Sequence, residues 1–115
     1  MTGVNFSPSP GYLTTAPITF ASSGSNTIIT GVAGKVIRVY RLLVTATSSS
    51  TLTFQDGTTA LSGAIQLPVN GTINLAYDGE PLFTCSTGNS FTINNSGNNQ
   101  ISGTIWSTIN LSPPV

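Results

Sequence analysis

Val36-Ile-Arg-Val-Tyr-Arg-Leu-Leu-Val-Thr-Ala46 is the stretch from which the fold is read. β-Branched and aromatic residues dominate it and Gly34 stands just before it, which favours a strand over a helix. Simple alternation puts Val36, Tyr40, Leu42 and Val44 on one face and Ile37, Val39 and Leu43 on the other, with one arginine on each, Arg38 or Arg41. A strand that is apolar on both faces is covered on both. A small two-layer domain covers only one of them, so the second face is expected to meet a neighbouring subunit.

The segments around it alternate with a period of two, the pattern of half-buried strands. Leu52 and Phe54 share a face in 51–55, Ile65 and Leu67 in 64–67, and Phe91 and Ile93 in 90–94. The same pattern turns Ile73, Leu75 and Tyr77 inward in 72–77, and Ile101, Gly103, Ile105 and Ile109 inward in 101–109. Shorter candidates are 18–21, 27–30 and 82–86. Asp56-Gly57, Asn70-Gly71 and Asp78-Gly79 are tight-turn dipeptides between these runs, and Gly88-Asn89 and 95–99 are further loop signals. About nine strands with a turn roughly every ten residues predict an all-β sandwich or barrel. No segment combines helical periodicity with caps, and no long repeat is visible.

The ends read differently. Pro8, Pro10 and Pro17 favour extended backbone over residues 1–17, an expected N-terminal arm that carries Phe6, Tyr12 and Leu13. The domain is expected over 18–110, and Ser112-Pro-Pro-Val115 closes a C-terminal tail over 111–115. No basic-then-apolar leader is visible at the start, and no apolar run is long enough for a membrane helix.

Composition limits the chemistry. Only Lys35, Arg38, Arg41, Asp56, Asp78 and Glu80 are charged, 5% of the 115 residues, and the net charge is zero. That leaves no basic patch for nucleic acid. Near-zero charge favours association, so the chain is expected to live in an assembly. With no histidine, the commonest general base and metal ligand is missing. Cys85 is the single cysteine, unable to form an intrachain disulfide and lacking a histidine to activate it. Asp78 and Glu80 read as a turn rather than a catalytic pair or calcium loop. Gly31-Val-Ala-Gly34-Lys35 has the wrong spacing for a phosphate loop and precedes a strand. The four Asn-x-Ser/Thr sequons are chance matches in a chain this rich in Asn, Ser and Thr. The chain is therefore expected not to be an enzyme and to need no cofactor or metal. Trp106, on a polar strand face among Ser102, Thr104 and Thr108, is a candidate ligand platform or interface anchor, or else a residue covered by an arm.

Gly34-Lys-Val-Ile-Arg-Val-Tyr-Arg-Leu-Leu-Val-Thr-Ala46, Leu52-Thr-Phe-Gln-Asp-Gly-Thr-Thr-Ala-Leu-Ser-Gly63 and Ile65-Gln-Leu-Pro-Val-Asn-Gly71 together resemble a family of small bacteriophage virion proteins. The family is that of tailed-phage capsid decoration, or cement, proteins and related fibre- or tail-associated sandwiches. The resemblance spans about residues 34–106 and rests on strand-and-turn grammar. It implies a jelly-roll-like antiparallel β-sandwich of eight to nine strands, commonly trimeric. Such proteins sit on the outer surface of the phage head, at capsomer junctions, and bind the major capsid protein after assembly in the host cytoplasm. No nucleic acid or membrane partner is expected. On this reading Phe6, Tyr12 and Leu13 contact the capsid, Arg38, Tyr40, Arg41 and Leu43 form the subunit interface, and Trp106 anchors a ligand or a partner. The alternatives are a receptor- or glycan-binding tip on a fibre or tail, and an unrelated lectin-like adhesin.

Overall fold

Alternating segments and turn dipeptides become ten strands in a computed structural model that describes residues 13–111. In chain order these are β1 (Thr14–Phe20), β2 (Gly24–Ile29), β3 (Lys35–Ala46), β4 (Ser50–Asp56) and β5 (Thr59–Ala60), followed by β6 (Ile65–Leu67), β7 (Thr72–Leu75), β8 (Phe83–Thr84), β9 (Phe91–Asn95) and β10 (Ile101–Leu111). They form two sheets, all of whose pairings are antiparallel. The first runs β1-β10-β3-β7, with β8 also on β3; the second runs β2-β9-β4-β5, with β6 also on β4. If β5 and β6 share one place and β7 and β8 another, each sheet has four places, in the strand order of a jelly roll. The expected eight to nine strands become ten because these two places are split.

The sheets close on a continuous apolar core. Ile18, Val39, Leu42, Val44, Ile101 and Ile105 come from the first sheet, and Leu52, Phe54, Phe91 and Ile93 from the second. Phe54 and Phe91 of the second sheet meet Phe83 of the first, with ring centroids 5.3, 5.9 and 6.2 Å apart. Each fully buried side chain of this size contributes about 1.5–3 kcal/mol from removal of apolar surface from water.

The long strand corrects the expectation of two separately covered faces. In the β10–β3 pairing Trp106 lies opposite Arg41 but Ser107 lies opposite Val39, which leaves Tyr40 as an unopposed extra residue. This is a β-bulge, and it reverses the alternation at Tyr40. Ile37 and Val39 before it and Leu42, Val44 and Ala46 after it all enter the one core. Their exposure is 2% or less, so most of the apolar content on both sequence parities is satisfied inside the chain. A second bulge between Thr27 and Ile29 lets the adjacent Ile28 and Ile29 both pack on the core.

The expected boundaries move at both ends. Residues 14–17 are part of β1, not of an arm, and Pro17 is accommodated because β1 is an edge strand, paired only with β10 among the described residues. Leu111 belongs to β10, not to a tail. Phe6, Tyr12 and residues 112–115 lie outside the described residues. Two inward placements also change. Strand β7 ends at Leu75, and Tyr77 beyond it is exposed. Ile109 keeps its inward register opposite Ile37 but is 36% exposed, because it stands at the open end of the sandwich.

Candidate functional site

The bulge also decides where the charges go. Alternation alone puts Arg38 and Arg41 on opposite faces; the reversal at Tyr40 puts both on the outer face of the first sheet. Directly opposed antiparallel residues share a face, and the pairs here are Arg38 with Thr108, Arg41 with Trp106, and Leu43 with Thr104. The Arg41 guanidinium lies over the Trp106 indole, 4.8 Å from the ring centroid, a cation–π contact. Tyr40 packs edge-on against Tyr77, with centroids 5.6 Å apart, and is itself buried. Arg38, Leu43 and Trp106 are half-buried and Arg41 is exposed. Among the described residues, neither guanidinium has a carboxylate within salt-bridge distance. Next to them Thr108 is buried with an unbonded hydroxyl.

Arg38, Tyr40, Arg41, Leu43 and Trp106, singled out in the sequence, are thus gathered on one surface. Leu13, the described member of the expected arm contact, is exposed just before β1. Tyr77 is the member of this surface that sequence reasoning missed. The signal available was Asp78-Gly79 directly after it, since a turn there ends the strand before Tyr77 can face inward.

The acidic groups divide between two roles. Asp56 ends β4, and its carboxylate accepts hydrogen bonds from the Ser86 backbone N–H (2.9 Å), the Ser86 hydroxyl (2.8 Å) and the Asn89 amide (2.9 Å). Burial pushes its pKa up, but the donations from Asn89 and Ser86 outweigh it and hold the carboxyl below the ordinary value of 3.8. Asp56 therefore ties the 85–90 loop to the β4–β5 hairpin. The sequence read Asp56-Gly57 only as a turn; the tie to Ser86 spans 30 residues and has no local signature. Asp78 and Glu80 are exposed in the loop between β7 and β8, where Gly79 takes φ +111°. No group of three or more possible metal ligands occurs among the described residues.

Asp56 sets a pH dependence. A carboxyl with a depressed folded-state pKa gives stability that is complete above its unfolded value, near 3.9, and is lost as pH falls through the folded value. The Asp56→Asn variant should be less stable than wild type at neutral pH by about 2 kcal/mol, the scale of lost hydrogen bonds to a charged group. Urea midpoints measured against pH should show this gap narrowing below about pH 4; a gap that stays constant with pH would mean the charge does not contribute.

Cys85 is buried, and its backbone N–H donates to Ile37. Burial, with the nearby Asp56 charge second, pushes the thiol up to about 11, so it is protonated at neutral pH. A cleft of about 440 Å³ opens at one end of the sandwich between Ala16 on β1, Ile28 and Ile29 on β2, and Ser107 and Ile109 on β10. Among the described residues its walls are apolar, hydroxyl and amide groups, without a titratable side chain. No helix among the described residues is long and apolar enough to cross a membrane.

No protein-family model, curated protein or solved structure matches the chain. The reading of function therefore rests on the geometry of the outer face.

Proposed function

We propose that this chain is a non-catalytic structural module of a bacteriophage virion, a decoration protein that binds the outer surface of the head shell and stabilises it as a homo-oligomer. The observation that carries the reading is the outer face of the first sheet, where two arginines, Trp106, Tyr40 and Leu43 meet on an otherwise nearly uncharged protein. Arginine and large aromatics are the residues enriched in protein interfaces, and they supply most hot spots. The jelly-roll strand order is shared by viral coat domains, which is an analogy of fold. Many weak contacts on a repeating shell would add to a large avidity. The resemblance over about residues 34–106 supports the same surroundings.

The glycan-binding alternative uses Trp106 as a platform for a sugar ring. Arg41 already lies over that ring, which favours a protein contact there. Co-sedimentation of the purified protein with head shells lacking it provides the test. Wild type should bind saturably, and Trp106→Ala should weaken binding by about thirtyfold, the scale of an interface hot spot. Removing residues 2–12 spares β1 and should also weaken binding if the arm contacts the shell. Failure of wild type to bind shells, together with glycan-array binding that Trp106→Ala abolishes, would sink the decoration reading and support the fibre-tip one.

A further inference from the structure

The charges of this chain fall into two neighbouring groups of opposite sign, without an ion pair among the described residues. Lys35, Arg38 and Arg41 lie along β3, with both arginines on the outer face. Asp56 is occupied by Ser86 and Asn89, which leaves Asp78 and Glu80, two residues apart and exposed, as the acidic pair. Their loop runs beside the bulge. β7 pairs with β3 over residues 42–45 and β8 pairs with it over residues 38–39, so the 76–82 connection passes the β3 segment that contains Tyr40 and Arg41. Leu82 N–H donates to the Val39 carbonyl at 2.7 Å, and Tyr77 packs on Tyr40. The loop is thereby held at the margin of the arginine face, yet its carboxylates do not close on their own chain's guanidiniums.

We infer that this margin is a self-association surface, on which Arg38 and Arg41 of one copy meet Asp78 and Glu80 of a second copy. The inference rests on the assembly reading above and names the partner of the arginines. Three features select a second copy as the occupant. The two outer-face arginines and the two exposed carboxylates are opposite in sign and equal in number. They lie side by side, so a symmetric pair of copies forms the contact twice. Beside them Tyr77 packs on the buried Tyr40, and Leu43 lies on the same outer face as the arginines, apolar and aromatic groups of the kind that anchor interfaces. Exclusion of water around these groups would strengthen the charge pairs relative to exposed ones, and mispaired like charges would fix the register.

The experiment is charge-swap complementation in solution, without shells, read by sedimentation equilibrium. Wild type should associate as concentration rises, and more weakly as salt screens the pairs. The Arg38→Glu/Arg41→Glu and Asp78→Lys/Glu80→Lys variants should each associate at least about tenfold more weakly, since like charges then face each other. An equimolar mixture should associate more tightly than either variant alone and contain both chains. Near-UV circular dichroism and melting identify a misfolded variant, in which case Arg41→Gln and Asp78→Asn replace the reversals and should each reduce association. A wild type that stays monomeric into the millimolar range would overturn the inference, as would reversed variants that associate like wild type or a mixture no tighter than its components. Shell binding by a strictly monomeric wild type would separate failure of this inference from failure of the decoration reading.

Discussion

Replacing Phe54 by alanine should lower the unfolding free energy by about 4 kcal/mol, the scale for an aromatic side chain removed from a closed core. Phe54 has 0% exposure and touches both other members of the phenylalanine cluster, at centroid distances of 5.3 Å to Phe83 and 6.2 Å to Phe91. Phe83 belongs to the first sheet and Phe91 to the second, so the lost ring is the one through which the layers grip at that end. Its neighbours are held by their strands and cannot collapse into the space, so the cavity cost adds to the transfer cost. Domains of this kind are stable by about 5–15 kcal/mol in total, and the melting temperature should fall by roughly 20 °C. Phe54→Leu should lose clearly less. Urea titration of both variants checks this, and equal losses would show that ring packing is not the source of the effect.

Gly103→Ala should also be strongly damaging, by about 3 kcal/mol or more, which is the upper part of the range for overpacking and beyond it. Gly103 sits in β10 opposite Val44, between β1 and β3. A Cβ there would run into the Leu43 carbonyl, with the Val44 Cα only 3.0 Å away. The obstruction is backbone in the middle of a sheet rather than the end of a flexible side chain, so relief requires β3 to move off β10. Gly63→Ala provides the control, because a Cβ there meets nothing within 4 Å. It should change stability by less than about 0.5 kcal/mol, as surface substitutions do. If Gly103→Ala expresses and melts like wild type, strand β10 has more freedom than its pairing implies.

These two residues also show how far the sequence could be read. The alternation Leu52, Phe54 turns Phe54 inward, and the phase with Ile101 and Ile105 does the same for Gly103. Period-two patterning needs only local information, and it located the core faces of β4, β9 and most of β10. What it could not carry is any interruption of phase. The bulge at Tyr40 changes which residues of β3 face the core, and nothing within 36–46 announces it, since an apolar residue follows on either parity. Simple alternation accordingly puts the arginines on opposite faces although they share one. Pro17 reads as part of the arm because proline removes a donor and favours extended backbone; that β1 is an edge strand, which tolerates it, is a property of the topology, not of the segment. The tie between Asp56 and the 85–90 loop, and those of Asn95 to Asn99 and of Asn99 to Ser49 and Ser50, join loops through neutral or single charged side chains. The sequence marked those positions as turns without showing what they hold.

The margins of the two sheets have a consequence for crowding. A long, flat and unbroken edge invites endless stacking of identical chains, and many proteins guard such edges with charge. This chain has almost none to spare. Its first sheet ends instead on β1, where Pro17 removes a hydrogen-bond donor, and on the divided β7 and β8; its second ends on β2, bent by a bulge, and on the divided β5 and β6. Each rim is interrupted by shape. Copies packed at high local density, with zero net charge and no mutual repulsion, would therefore lack a template for fibrous growth, leaving side-chain surfaces rather than backbone rims to decide how they meet.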